Sequence, residues 1–323
     1  MKDNHKKYIE RTFYLANKGL GNVSPNPMVG CVIVKAGKII GESYHKEYGK
    51  EHAEINAINT VVDKSQLKGS SFYINLEPCS HHGKTPPCSD EIIKHKPKEV
   101  IISNLDQNPL VNGRGIKRLK NSGISVKENI LTEKGLIINK RFFKNQITGL
   151  PYIILKWAET EDGFIARKDG SSKWISNELS RMLVHKWRSE EAGILVGVNT
   201  ANIDNPSLNV RSWKGRDPVR IVLDPNQKLK PKTKLLKDKG AVLIYNKEKN
   251  KKTNNKNFIQ KKSFELKHIL RDILEKGIGS VIVEGGAKTL NNFIKEGLWD
   301  EARVFVSNKT FKEGIKAPKF DTD

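Results

Sequence analysis

Apolar positions along the chain fall into two kinds of run, and their order predicts the architecture. Short, nearly unbroken apolar stretches rich in Val and Ile read as strands buried on both faces. In the first half these are Val29–Val34 (VGCVIV), Ser71–Leu76, Val100–Ser103 and Ile124–Val126. Ala36-Gly37 turns the chain, so Lys38–Tyr44 is expected to return as the hairpin partner of the first strand. Between the strands, apolar residues recur at helical spacing: Tyr8–Lys18, His52 to Val62, Cys88 to Lys94, Ile116–Asn121 with a stop at Gly123, and Thr132 to Gln146. This alternation predicts an α/β sandwich around one central sheet.

Thr148-Gly149-Leu150-Pro151 breaks the pattern, and the same grammar then resumes. Strands are expected at Tyr152–Ala158, Gly193–Val198, Val219–Leu223, Ala241–Tyr245, Ser280–Val283 and Ala302–Val306, with helices at Asn177–Glu190, Phe264–Lys276 and Ala287–Lys295. The expectation is two α/β domains, residues 1–147 and 151–323, as suits a chain of 323 residues.

Composition narrows the class. No apolar run is long enough for a membrane helix, and the charged start Met1–Lys7 lacks the apolar core of a secretory signal. Three cysteines, Cys31, Cys79 and Cys88, do not make a disulfide framework, so the cytoplasm is the expected compartment, with no membrane partner. The net charge of +22 raises the question of nucleic acid, but its distribution argues against it. Between Lys228 and Lys262 stand 13 lysines and two acids, Asp238 and Glu248, which is half the excess. The core of that stretch, from Asn246, is Lys/Asn-rich and is expected to be a solvated, mobile loop.

The candidate chemistry is concentrated in His52-Ala53-Glu54, Pro78-Cys79 and Cys88. One imidazole and two thiols suit zinc, and three protein ligands leave the fourth tetrahedral position for water, as in catalytic rather than structural sites. Glu54 then remains as a carboxylate able to move protons, the H-x-E…P-C arrangement of zinc-dependent base deaminases. In a regular helix, positions i and i+2 point to nearly opposite sides, so His52 and Glu54 share a site only near a helix start. Pro86-Pro87-Cys88 opens a helical pattern, and a helix N-terminus favours thiolate at Cys88. Cys31, inside an apolar strand, reads as core. Two rival readings stay open. A structural zinc module would take His81 or His82 as a fourth ligand. A nucleic-acid base deaminase would show P-C-x-x-C, where this chain has eight residues between Cys79 and Cys88.

That intervening stretch, CSHHGKTPPC, with SPNPMVG (Ser24–Gly30) and KEHAE (Lys50–Glu54), resembles the deaminase half of the bifunctional RibD family of riboflavin biosynthesis. The resemblance covers nearly the whole chain. It implies an N-terminal cytidine-deaminase-like α/β/α sandwich and a C-terminal dihydrofolate-reductase-like α/β domain. It further implies zinc on His52, Cys79 and Cys88, Glu54 as the proton-transferring catalytic residue, and substrate contacts at Asn26, His45, His81 and Lys84. The expected substrate is a phosphorylated pyrimidine.

In the second half, Val281–Ala287 is an apolar strand running through Glu284-Gly285-Gly286 into a helix, a place suited to phosphate but not a dinucleotide fingerprint by itself. By the same resemblance, NADPH contacts fall on Ala158, Trp174, Thr200, Asp204 and the turn Gly286, Ala287, Lys288, Thr289, Leu290, Asn291 and Asn292. Substrate contacts fall on Ser172, Arg188, Leu208, Arg211 and Glu284, with Arg188 and Arg211 holding the 5′-phosphate and Asp204 essential to reduction. A homo-oligomer is also expected. Two departures from the family pattern are local: Glu159-Thr160-Glu161-Asp162-Gly163 replaces a Ser-Leu-Asp-Gly type turn, and Gln107 stands where Pro is usual.

Overall fold

The computed structural model describes residues 2–80, 86–108, 111–171 and 177–320. The chain divides into two compact units, Met1–Thr148 and Gly149–Asp323.

The first unit runs α1 (Lys2–Asn17), β1 (Gly30–Lys35), β2 (Lys38–Tyr44), α2 (Ala53–Thr60), β3 (Ser71–Leu76), α3 (Cys88–Lys94), β4 (Glu99–Asn104), α4 (Arg114–Asn121), β5 (Ser125–Lys127), α5 (Thr132–Ile138) and α6 (Lys140–Thr148). The five strands form one sheet in the order β2-β1-β3-β4-β5. β1 is antiparallel to β2 and β3, whereas β3, β4 and β5 are parallel. Alternation along each strand loads both faces. Cys31, Ile33, Phe72, Ile74, Val100 and Ile102 pack with Ala57, Ile58, Ile92 and Leu119 of α2, α3 and α4. Val32, Val34, Tyr73 and Ile101 pack with Ile9 and Phe13 of α1. The close approach of α1 depends on Gly30, where a Cβ would lie 2.2 Å from the Thr12 carbonyl oxygen.

One expectation is corrected here. The single helix over Thr132 to Gln146 is two helices, α5 and α6, meeting at Asn139. The buried Asn139 side chain accepts from the Met28 N–H at 2.8 Å and donates to the Met28 carbonyl at 3.0 Å. That pairing continues the β1 edge with a side-chain amide and sets the axis change.

The second unit runs β6 (Tyr152–Thr160), β7 (Phe164–Ala166), α7 (Glu178–Glu190), β8 (Gly193–Gly197), α8 (Val198–Ile203), β9 (Val219–Leu223), α9 (Lys234–Lys237), β10 (Val242–Asn246), β11 (Lys251–Thr253), β12 (Lys256–Gln260), α10 (Leu266–Glu275), β13 (Ser280–Val283), α11 (Ala287–Lys295), β14 (Glu301–Ser307) and β15 (Ile315–Lys316). Eight strands form a sheet in the order β11-β12-β10-β9-β8-β13-β6-β14, all parallel except β11, and β15 pairs with β7 in a separate ribbon. Leu195, Ile221, Val281 and Val283 face α10 and α11, and Ile194, Val196, Val222 and Ile282 face Ala201 of α8 and Leu235 of α9. Because β13 inserts between β6 and β8, the strand order reverses there, and the carboxyl ends of these strands are where such a sheet places its ligand crevice.

The Lys-rich stretch is also corrected. Instead of a mobile loop it supplies β11 and β12, the latter paired in parallel with β10. Ile259 joins the core and the Lys256 ammonium is satisfied by the Gly240 carbonyl at 3.2 Å. β11 is the edge of the sheet, and its exposed lysines deter pairing with another chain.

Candidate active site

The first site forms at the carboxyl end of β3 and the starts of α2 and α3. His52 is the extended N-cap of α2, with φ −72° and ψ 167°, and Glu54 occupies its first turn. This is the geometry that lets i and i+2 face one point. Pro87 caps α3, so Cys88 is its first residue. Cys79 follows β3, where a buried Glu77 fixes the turn. Its carboxylate accepts from the N–H groups of Asp106, Gly113, Gly115 and Ile116 at 2.9–3.3 Å. Those amides come from the start of α4 and the preceding loop, so Glu77 ties that region to the cysteine loop.

Three donor atoms converge. His52 Nδ1 lies 3.6 Å from Cys79 Sγ and 3.3 Å from Cys88 Sγ. All three lie within 4.8 Å of one another. A tetrahedral zinc with ordinary bond lengths needs N···S separations of about 3.6 Å and S···S of about 3.8 Å, so the set fits zinc without rearrangement. The hydrogen bond from Cys88, and then His52, pulls the Cys79 thiol down, while the same bond and burial push Cys88 up, so before a metal binds Cys79, not Cys88 as expected from its helix start, is the readier thiolate. Among the described residues the cluster has three donors. His81 and His82, the alternatives for a fourth, lie outside the described residues, as does Lys84. Cys31 is fully buried in the sheet core.

Glu54 is 3 % exposed, and burial pushes its carboxyl up to about 7. A carboxyl poised near neutrality inside a cavity suits proton transfer in both directions. The cavity, about 350 Å³, is lined by Asn26, His45, His52, Glu54, Cys79, Asp106 and Asn108, with Phe142 and Val29 as apolar wall. His45 Nδ1 faces the Glu51 carbonyl at 3.0 Å and Nε2 faces the Asn26 amide at 3.1 Å. A carbonyl only accepts, so Nδ1 carries the hydrogen and Nε2 accepts from Asn26, which keeps the ring neutral. Burial lowers its pKa in the same sense. Asp106 was not singled out from sequence; it is 6 % exposed, lines the cavity and is raised to about 6 by burial.

The second site sits at the carboxyl ends of β6, β8 and β13. Ala158 lies near the end of β6, Thr200 in α8, Asp204 just after it, and Gly286 caps α11. Gly286 N–H donates to Thr200 Oγ1 at 2.9 Å. A Cβ on Gly285 would meet Thr289 at 2.7 Å, and one on Gly286 would meet Thr200 Oγ1 at 3.1 Å. The first amides of a helix have no intrahelical partner, so this side-chain-free edge fits the pyrophosphate of a dinucleotide.

Three expectations change. The segment Gly286–Asn292 is a turn only at its start: from Ala287 it is the expected helix, α11, and Leu290 is fully buried in the core. Leu290 is therefore withdrawn from any ligand, whereas Lys288, Asn291 and Asn292 are exposed. Leu208 likewise spends its side chain in the core, at 2 % exposure, and holds a left-handed φ of 52°. Such a conformation in a non-Gly residue costs of order 1–3 kcal/mol, and the buried side chain leaves only the main chain for any ligand contact. Arg188 is engaged mainly by an acid of its own domain. Nε and Nη2 donate to Glu284 at 2.8 Å each, and Nη1 donates to the Asn209 carbonyl at 3.2 Å. Three of its five N–H groups are thereby used, and Arg211 on the neighbouring loop is exposed. Ser172 and Trp174 lie outside the described residues.

Lys156 is the residue that sequence reasoning missed. It projects from β6 beside the Arg188–Glu284 pair, and burial lowers its pKa. The signal was a lysine inside an otherwise apolar strand, YIILKWA.

A three-donor zinc site with a buried carboxyl, and a parallel sheet with a dinucleotide cradle, define a protein of the zinc-dependent deaminase class joined to a reductase-type domain. Family models agree on both halves. Residues 2–104 match the cytidine and deoxycytidylate deaminase zinc-binding region, and residues 151–311 match the RibD C-terminal domain. The riboflavin biosynthesis protein RibD of Aquifex aeolicus is 42 % identical over 317 residues, covering 96 % of this chain and 88 % of that protein. The Escherichia coli protein is 34 % identical, covering 94 % and 87 %. Among solved structures, Acinetobacter baumannii RibD superposes with a TM-score of 0.90 at 33 % identity, covering 100 % of this chain and 92 % of that one. The Thermotoga maritima enzyme, described as a diaminohydroxyphosphoribosylaminopyrimidine deaminase/5-amino-6-(5-phosphoribosylamino)uracil reductase, gives 0.89 at 38 %, covering 98 % and 90 %. The chain belongs to the RibD family: a bifunctional riboflavin-biosynthesis enzyme, zinc-dependent as a deaminase and NADPH-dependent as a reductase, with a cytidine-deaminase-like and a dihydrofolate-reductase-like domain.

Proposed function

We propose that residues 1–147 remove the 2-amino group of 2,5-diamino-6-ribosylamino-4(3H)-pyrimidinone 5′-phosphate as ammonia, and that residues 151–323 then reduce the ribosyl group to ribityl. The observation that carries the reading is the convergence of His52 Nδ1, Cys79 Sγ and Cys88 Sγ beside the buried Glu54. His52, Cys79 and Cys88 hold the zinc ion. Zinc, when bound, supplies a Lewis acid that lowers the pKa of water at the open position. Glu54 takes a proton from the attacking water and delivers protons to the ring nitrogen and the departing amine. Asn26 and His45 present a fixed donor and acceptor edge to the pyrimidine, with His81 and Lys84 assigned to the same ligand by family pattern.

In the second domain Ala158, Thr200, Asp204 and the start of α11 from Gly286 hold NADPH, with Trp174 added from family pattern. NADPH supplies the hydride for C1 of the opened sugar. Lys156, a half-buried ammonium on β6 whose charge acts on Glu284, is assigned the accompanying proton. Arg188 holds Glu284 in place for the sugar hydroxyls, and Arg211 meets the 5′-phosphate alongside Ser172 and the Leu208 main chain. Among the described residues no helix is long and apolar enough to cross a membrane. A cytoplasmic homo-oligomer that binds neither membrane nor nucleic acid is the state we assign. Glu54→Gln and Asp204→Asn test the division of labour: each variant should abolish one step, ammonia release or NADPH oxidation, and spare the other. Loss of both steps in either variant would refute two independent sites.

A further inference from the structure

Half of the chain's positive excess lies between Lys228 and Lys262, and neither active site uses it. Its placement in the sheet is not random. β8 and β9 run parallel with Gly197 opposite Leu223, so the loop after β9 emerges at the same end as α8 and the cofactor crevice. That loop carries Lys228, Lys230 and Lys232, and Lys234 opens α9; all four are exposed. It is stapled to the reductase site by two asparagines that flank Asp204. Asn202 donates to the Lys228 carbonyl at 2.8 Å and accepts from the Lys230 N–H at 2.9 Å. Asn205 accepts from the Lys234 N–H at 2.7 Å. Buried Asp224 closes the loop base by accepting from the N–H groups of Lys228 and Leu229 at 2.7 and 3.0 Å. The next loop along the same rim adds Lys247 and Lys249, and Lys247 N–H donates to the Pro225 carbonyl at 3.2 Å.

The neighbouring acids do not cancel this charge. Asp238 pairs with Arg220 at 2.7 Å and Asp272 pairs with Lys261 and Lys276, so both are neutralised elsewhere; Glu248, bonded to Gln227 at 2.6 Å, and buried Asp224 keep their charge, and the six lysines from Lys228 to Lys249 on the two loops and the start of α9 outnumber them. Strands in a sheet are about 5 Å apart, so the β9 loop lies one strand spacing from the β8 end of the crevice. That is inside the Debye length of about 8 Å at physiological salt. A row of exposed lysines whose backbone is anchored beside a ligand site accelerates the encounter of oppositely charged ligands without touching them in the bound state.

We propose that Lys228, Lys230, Lys232 and Lys234 form an electrostatic guide that draws NADPH into the reductase crevice, with Asn202 and Asn205 as the positioning residues that hold the guide against it. The inference rests on the reductase reading above. NADPH, with its pyrophosphate and 2′-phosphomonoester, carries about four negative charges, and steering by such a field raises on-rates by 10–10³. The lysines on β11 are a separate set, at the sheet edge, and are not part of the guide.

The test is the association rate of NADPH, followed by stopped-flow fluorescence from low to high ionic strength, on the full chain loaded with zinc. The wild type is compared with Lys228→Gln/Lys230→Gln/Lys232→Gln/Lys234→Gln. At low salt the variant should associate on the order of ten-fold more slowly, with a shallower salt dependence, and the two proteins should converge at high salt. The dissociation rate should be unchanged. Dihydronicotinamide riboside, which has no phosphate, should bind both proteins at one salt-independent rate. An unchanged tryptophan-fluorescence unfolding transition reports that the second unit of the variant is folded, since all five tryptophans lie there. Equal salt slopes in the two proteins would overturn the guide and leave the reductase reading intact. No NADPH binding at any salt would overturn both. A variant that changes only the dissociation rate would also overturn the guide, because the lysines would then be bound-state contacts.

Discussion

Replacing Glu284 with Gln removes the charge that keeps two buried cations in the second domain. Burial alone would raise the Glu284 carboxyl, but the Arg188 guanidinium and then Lys156 outweigh it and hold its pKa down at about 2, against an ordinary 4.5. The side chains of Arg188 and Glu284 are 11 % and 10 % exposed, so solvent screens the pair little. The difference in pKa corresponds to about 3 kcal/mol at neutral pH, which matches the 3–5 kcal/mol typical when one partner of a buried pair is removed. The depressed pKa fixes the sign of the pH dependence. The stabilisation is complete above about 4.5, and it is lost as pH falls from there through about 2. Urea unfolding of wild type and Glu284→Gln, followed by tryptophan fluorescence for the second domain and by zinc release for the first, should show the tryptophan transition lowered by about 3 kcal/mol at pH 7. The zinc-release transition should not move. The gap between the two proteins should narrow as the pH is taken below about 4.5. A loss under about 1 kcal/mol at pH 7, or a gap independent of pH, would show that the pair contributes nothing net and would refute the argument.

Other outcomes follow from the same geometry. Glu54→Gln should keep zinc but lower ammonia release at least 10²-fold, with NADPH oxidation of the deaminated substrate unaffected. Gly285→Ala drives a Cβ to within 2.7 Å of Thr289 and should shift the start of α11; the expected result is a raised KM for NADPH, measured by initial rates, with ammonia release intact. Glu77→Ala strips a buried acceptor from four amides; unfolding of the first unit should be easier by about 3 kcal/mol, and zinc should be lost at lower chelator concentration.

The sequence made the sheet cores legible because strands covered on both faces need continuous apolar runs, as in VGCVIV, SFYINL and SVIV. The zinc set was legible because ligand type and spacing carry the chemistry directly. What escaped depended on partners distant in the chain. Asn139 breaks a helix because its amide pairs with Met28, and no local pattern announces that. Glu77 looked like a residue adjoining a ligand, and its purpose appears only when the start of α4 folds back onto it. Arg188 was read as a phosphate holder because its partner Glu284 is 96 positions away. The Lys/Asn-rich stretch misled in the other direction, since β12 contributes little apolar surface and is held mainly by main-chain pairing to β10.

The central claim is that zinc sits on one imidazole and two thiolates with one position left to solvent. X-ray absorption at the zinc edge of the purified, zinc-loaded protein tests it most directly, on the wild type and on Glu54→Gln. The account predicts two sulfur scatterers at about 2.3 Å and two nitrogen or oxygen scatterers at about 2.0–2.1 Å, of which a single one carries the imidazole multiple-scattering signature, and the same spectrum in Glu54→Gln. Two imidazole signatures, a third sulfur, or loss of zinc in Glu54→Gln would contradict it.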